Sequence, residues 1–181
     1  MTGVQTCALP IWLLSRSVST AVAAATGPVT VWCTPTVAQA DFHRCAEQHG
    51  VTLREQPAGD LGARMFAALQ ASPTPVGTLL VGTDCPCLTP ALLRTAAAAL
   101  NDSDAVLIPA EDGGYVLLGL RYPDSALFAS VEWGSDRVLT QTRQRLGDLH
   151  WQWCELATLW DVDRPGDYQR LLEEFPELAT M

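Results

Sequence analysis

The chain contains no lysine; its eleven basic residues are all arginines. That absence excludes a P-loop, whose Gly-Lys-Ser/Thr motif sends a lysine to the phosphates, and any mechanism through a lysine Schiff base. A Gly-x-Ser-x-Gly nucleophile elbow is also missing, which removes the hydrolases built on it. Histidine is scarce: His43, His49 and His150 have no acidic or nucleophilic neighbours in sequence and read as surface or boundary residues. No apolar run is long enough to span a bilayer. No positively charged segment precedes the apolar run at 7–14, so a signal peptide is not indicated. The formal charge of −9 argues against a nucleic-acid-binding face, which is basic. It leaves room for a nucleotide substrate, because a divalent cation reconciles phosphates with carboxylates.

What is present fits one soluble globular domain. The 181 residues, 48% hydrophobic and 17% charged, suffice to bury a core. Six cysteines do not form a disulfide scaffold. Cys33 and Cys154 lie in apolar runs, as ordinary buried thiols do. Cys85 and Cys87 flank Pro86, but no second Cys/His pair stands at zinc-site spacing. Small half-buried thiols in a reduced, cytoplasmic protein are the simpler reading.

Helical and strand patterns alternate along the chain. Helices are predicted at 13–25, at 37–49 up to Gly50, after Asp60 (with Leu61, Met65 and Leu69 on one face), from Thr89-Pro90 to about 100, at 136–146, and from Pro165 onward. Strands are predicted at 28–33, 51–55, 76–81, 105–108, 115–120 and 149–154. Such alternation implies an α/β fold, a mostly parallel sheet with helices on both faces. The 115–120 strand follows its predecessor too closely for a helical crossover and is expected to run antiparallel. Trp151, Trp153 and Trp160 read as core or rim.

Residues 1–11 show neither helical nor strand periodicity, and Pro10 interrupts their apolar run. The string resembles the translation of a sequencing-library adapter and is expected to be non-native, leaving residues 12–181 as the domain.

The candidate chemistry sits at strand ends. Gly82-Thr83-Asp84-Cys85-Pro86 follows the 76–81 strand, and ligands of open α/β sheets bind beyond such carboxyl ends. A carboxylate there suits Mg²⁺ or Mn²⁺, hard ions that prefer oxygen, although Asp before a proline loop also serves turns. In Asp161-Val162-Asp163 the two carboxylates are two apart, so an extended backbone sends both to one side with Val162 turned inward. Either can add to a cation held by Asp84, or Asp163 can simply serve the following helix start. In Asp112-Gly113-Gly114-Tyr115 the glycines permit positive φ and close approach of a ligand. A plain hairpin turn explains Asp-Gly equally well. Gly59-Asp60-Leu61-Gly62 is either a helix cap or a loop whose amides receive a base or phosphate.

Taken together, Gly59-Asp60-Leu61-Gly62-Ala63-Arg64-Met65, Gly82-Thr83-Asp84-Cys85-Pro86, Asp112-Gly113-Gly114-Tyr115, Trp133-Gly134-Ser135 and Asp161-Val162-Asp163-Arg164-Pro165 resemble one family. It is the bacterial DUF2064 family, glycosyltransferase-like proteins of the GT-A (nucleotide-diphospho-sugar transferase) fold, and the resemblance runs from about residue 12 to residue 172. It implies an α/β/α sandwich with a mixed sheet and a divalent metal, Mg²⁺ or Mn²⁺, bridging a nucleotide. Asp84 matches the family's metal-binding aspartate, which also meets the nucleotide, with Asp163 favoured as the second metal ligand and Asp161 as a further one. Gly59, Asp60 and Gly62 match the nucleotide-facing loop. Gly113, Gly114, Tyr115 and Trp133 would lie toward the sugar or acceptor, and Asp112 is the candidate catalytic base. The implied activity is glycosyl transfer from a nucleotide sugar to a small-molecule acceptor. Nucleotidyl transfer from an NTP with release of pyrophosphate, and a non-catalytic nucleotide-binding remnant, are the alternatives.

Two departures stand out. Family members carry threonine where this chain has Arg164, which forfeits a good helix cap. They also begin with a strand and a Pro-Gly-x-Val-Lys-Thr-Arg-Leu loop for the nucleotide phosphates, and nothing here matches it. The sheet is therefore expected to lack a central strand, to expose edges, and to support little or no turnover.

Overall fold

The computed structural model describes residues 5–72 and 74–180. The first helix, α1 (Gln5–Ala24), begins well before the predicted start at residue 13. Pro10 lies within it, and its missing N–H removes one bond to the preceding turn, a local loss the helix sustains. Residues 5–11, whose sequence shows no periodicity, are thus helical; residues 1–4 of the expected non-native segment lie outside the described residues.

A parallel pair follows, β1 (Thr30–Cys33) and β2 (Thr52–Glu55), joined by α2 (Ala40–His49). Helix α2 starts three residues later than predicted because Gln39 is its extended N-cap, and it ends as expected on Gly50 in the left-handed conformation. Helix α3 (Leu61–Gln70) is capped by Asp60, whose carboxylate accepts from the Ala63 amide. Strand β3 (Thr78–Val81) begins at Thr78, not at residue 76, because Gly77 turns the chain at φ +102°. Helix α4 (Pro90–Ala99) starts at the predicted Thr89-Pro90 signal, and the Thr89 hydroxyl accepts from the Leu92 amide.

Strands β4 (Ala105–Pro109) and β5 (Tyr115–Leu120) form a hairpin. A 3₁₀ turn at Ser125–Phe128 leads to α5 (Val138–Asp148). Strand β6 (Trp153–Glu155) starts four residues later than predicted, since Leu149 caps α5 and His150 turns at φ +55°. Helix α6 (Pro165–Glu174) closes the site side of the fold.

The larger sheet has the order β3-β5-β4-β6 and is mixed: β5 is antiparallel to both neighbours, as its short connection predicts, while β4 and β6 are parallel. The β1–β2 pair is a separate sheet, so among the described residues β1 and β3 each have a ladder partner on one edge only.

Strand β4 is buried on both faces, which explains its unbroken apolar run. Val106 and Ile108 pack on Leu93 and Ala96 of α4, on Leu100 that caps it, and on Ala24 of α1. Ala105 and Leu107 pack on Met65 and Leu69 of α3 and Leu139 and Leu146 of α5. Each such leucine contributes roughly 1.5–3 kcal/mol of transfer free energy. The result is the expected three-layer α/β/α sandwich. Its layers bring the carboxyl ends of β3 and β4 and the segment after β6 to one rim.

Candidate active site

Three backbone segments supply the rim. Beyond β3 the ladder runs on for one residue, the Gly82 amide donating to the Val116 carbonyl at 3.0 Å, before the chain turns. The Asp84 side chain folds back over Gly82, where a Cβ would lie 2.7 Å from the carboxylate. Pro86, fully buried, holds the turn from below.

Beyond β4, the Ala110 amide donates to the Gly114 carbonyl at 3.0 Å and closes the hairpin. One Asp112 carboxylate oxygen accepts from the Gly114 amide at 2.8 Å, an Asx turn. The positive φ and the close approach at Gly113 serve the chain's own backbone. Its φ is +96°, a Cβ there would run into the Asp136 carbonyl, and its own carbonyl accepts from the Leu139 amide at 2.8 Å. The hairpin tip is thereby docked on the start of α5.

Beyond β6, the chain stays extended beside β4, Leu159 exchanging backbone bonds with Pro109 and Glu111 at 3.0 Å each. Three residues on, the Val162 amide donates to the Asp84 carbonyl at 3.0 Å. Val162 packs inward against the Trp160–Leu171 cluster, so Asp161 and Asp163 point the other way, as the two-residue period predicts.

These segments bring together Asp84, Asp112, Asp161 and Asp163. Carboxylate oxygens of Asp112, Asp161 and Asp163 lie within 4.8 Å of one another, Asp112 and Asp161 half-buried and Asp163 exposed. Asp84 stands outside that trio but acts on it electrostatically. Burial, then the charges of Asp112, Asp84 and Asp163, push Asp161 up to about 6. Burial, then Asp163 and Asp112, raise Asp84 above the usual carboxylate range. Every side-chain charge shifting Asp161 is another carboxylate. Three converging carboxylates, with Asp84 beside them and no basic side chain among the charges acting on Asp161, offer the oxygen donors that hard divalent cations take. The residues therefore fit the implied metal.

Helix α6 braces the rim. The Arg164 side chain offers no acceptor, and Asp167 takes over the cap, accepting from the Asp163 and Arg164 amides at 3.2 and 2.7 Å. Arg170 stacks on Trp160, 4.5 Å from the ring centroid, and pairs with Glu111 at 2.9 Å. Glu111 thus ties α6 to the hairpin carrying Asp112.

The other predicted residues divide between local roles. Asp60 caps α3, and the Gly59 carbonyl accepts from Arg64 Nε at 2.9 Å, so of the two sequence readings of this loop the cap is formed. Gly62 lies under Trp133: a Cβ at 62 would come within 2.9 Å of three indole atoms. Trp133 in turn stacks on Phe128, ring centroids 6.4 Å apart. The Tyr115 hydroxyl donates to Met65 Sδ at 3.9 Å, and burial pushes its phenol above the usual tyrosine range. Cys85 is buried and its thiol pushed up to about 12; Cys87, half-buried beside Glu174, is pushed up to about 11.

Sequence reasoning missed Arg16 and Ser17 of α1. Arg16 Nε donates to the Pro86 carbonyl at 2.7 Å and the Ser17 hydroxyl to the Thr83 carbonyl at 3.3 Å. No motif marks contacts that span so much of the chain.

A family model described as "Uncharacterized protein conserved in bacteria (DUF2064)" matches residues 17–135. No curated protein matches the chain. Among solved structures, the chain is similar to one described as a "putative nucleotide-diphospho-sugar transferase" from Desulfovibrio desulfuricans G20. The TM-score is 0.73 at 22% identity, covering 93% of this chain and 83% of that one. It is also similar to Rv0371c from Mycobacterium tuberculosis H37Rv, with a TM-score of 0.61 at 20% identity over 89% of this chain and 84% of that one. At these identities the likeness establishes the fold.

Proposed function

The chain belongs to the DUF2064 family, and from that premise we propose that it is a metal-dependent glycosyltransferase-type protein acting on a nucleotide-sugar donor. The observation that carries the reading is the convergence of Asp112, Asp161 and Asp163 beside Asp84 at the carboxyl ends of the sheet. Asp84, Asp161 and Asp163 would hold the cation, with Asp112 adjoining. When bound, Mg²⁺ or Mn²⁺ supplies a Lewis acid for the departing diphosphate oxygens.

The chain's own residues then align the reactants. The Asp112 turn, clamped between Gly114 and α5, presents a carboxylate able to take the acceptor hydroxyl proton. Trp133, held by Gly62 and Phe128, offers an apolar wall for a sugar or acceptor. Gly59 and Asp60 at the start of α3 would face the nucleotide, with Gly62 lying beneath Trp133. With no lysine in the chain, neutralising the donor phosphates would fall chiefly to the cation.

The test is incubation with Mn²⁺ and a panel of nucleotide sugars and NTPs. Release of nucleoside diphosphate from a nucleotide sugar, abolished by chelation, supports the reading. Pyrophosphate released from an NTP makes the chain a nucleotidyltransferase instead. Binding without turnover, even when a family-type phosphate loop is grafted on, leaves a nucleotide-binding remnant.

A further inference from the structure

The turn carrying Asp84 is held from two opposite directions. On one side the Val162 amide takes the Asp84 carbonyl. On the other, consecutive residues of α1 take the carbonyls that flank it: Ser17 the Thr83 carbonyl and Arg16 the Pro86 carbonyl. Ser17 is a buried polar residue. The Arg16 guanidinium is itself fixed, 4.4 Å from the Phe175 ring centroid and 5.4 Å from that of Trp12. Those rings meet edge-on, 5.4 Å between centroids. A guanidinium held against two aromatic rings has little rotamer freedom left to lose, so its bond to Pro86 helps to set the position of the turn.

We infer that Arg16, assisted by Ser17, is a positioning residue for the cation-binding carboxylates. It fixes the Asp84 turn against the Asp161–Asp163 segment, so that the carboxylates converge before any cation arrives. The inference rests on the carboxylate reading above. Its physical basis is that the backbone around Asp84 determines where the carboxylate stands. Outer partners of this kind typically change metal affinity by roughly 10–100-fold when removed. Arginine suits the task because the carbonyl, the two rings and the helix must be met at once by one rigid fork.

The experiment measures Mn²⁺ affinity of the full chain by the electron paramagnetic resonance signal of the free ion, with no turnover involved. Arg16→Met keeps the stem and removes the donor; Ser17→Ala removes the second bond. Val18→Ala, a neighbour on α1 that packs with Leu14 and Cys45 and touches no carbonyl of the turn, controls for loosened helix packing. Arg16→Met is expected to weaken Mn²⁺ about 10-fold and Ser17→Ala by a few-fold. Arg16→Lys, which keeps the charge over the rings but not the planar fork, falls between wild type and Arg16→Met. Val18→Ala lowers the melting temperature and leaves the affinity within twofold. Arg16→Met binding like wild type overturns the inference and leaves the carboxylate reading standing. So does Val18→Ala weakening Mn²⁺ as much as Arg16→Met. If Arg16→Met does not fold, Ser17→Ala and Arg16→Lys decide, and wild-type affinity in both is the overturning result. Wild type that binds no Mn²⁺ removes the carboxylate reading itself, and this inference with it.

Discussion

The backbone amide of Val162 donates to the carbonyl of Asp84 at 3.0 Å. That single bond joins two segments far apart in sequence, each carrying carboxylates. Through it Asp161 and Asp163 are carried to the side of Asp84, and burial together with like charge then raises both Asp84 and Asp161. The first prediction comes from those raised values.

A carboxyl group whose folded value lies above its unfolded one binds the proton more tightly in the folded state. Its stabilising effect is complete at low pH and is lost as pH rises through the folded value. For Asp161 that window runs from the ordinary 3.8 to about 6, and Asp84 acts in the same direction. Asp161→Asn should therefore melt higher than wild type at pH 7.5, by about 2–4 °C. That corresponds to roughly 1 kcal/mol after solvent screening of a partly exposed group. The gap should close toward pH 4, and Mn²⁺ at pH 7.5 should raise wild type more than the variant. Thermal melts at the two pH values check this; a gap independent of pH contradicts it.

Asp163 and Asp60 are both exposed acids at the mouths of helices, yet their roles differ. Asp163→Asn should weaken Mn²⁺ at least about 10-fold with little change in stability. Asp60→Ala, which removes the acceptor for the Ala63 amide, should cost about 1 kcal/mol of stability and leave Mn²⁺ affinity unchanged. Calorimetric titration with Mn²⁺ and urea unfolding, run on both variants, separate the two outcomes.

Gly62 and Trp133 form a testable pair. In an ordinary helix Gly→Ala gains about 1 kcal/mol of propensity. Here the added methyl collides with the indole, so Gly62→Ala should instead destabilise by about 1–2 kcal/mol. In a Trp133→Ala background the same substitution should become neutral or stabilising. A double-mutant cycle by urea unfolding reads the coupling; additive effects would mean the contact carries no energy.

Cys85 and Cys87 should alkylate slowly. With thiols pushed up to about 12 and 11, their thiolate fraction at pH 7.5 is at least about 100-fold below that of a free cysteine. Peptide mass spectrometry after timed iodoacetamide treatment measures the rates. Modification at free-cysteine speed would contradict the burial described.

Much of this was legible in one dimension. The caps at Gly50, Asp60 and Thr89 hold because a helix end is satisfied by residues next to it in the chain. The antiparallel β5 follows from connection length, and the common face of Asp161 and Asp163 from the two-residue period. Boundaries slipped where a backbone turn, not hydrophobicity, ended the element. Gly77 delays β3, and His150 delays β6. Residues 5–11 are helical although they show no periodicity, since Pro10 removes only one hydrogen bond of the helix.

The site divides along the same line. Local patterning alone put carboxylates at strand ends and offered a tight turn at Asp112-Gly113 as one of two readings, because those features depend on covalent neighbours. Which carboxylates meet, that Glu111 pairs with Arg170, and that Arg16 and Ser17 bind the carbonyls around Asp84 were decided only by packing. Such contacts depend on how the three layers close on one another. A charge or a carbonyl has no preference for one distant partner until the core has set their separation.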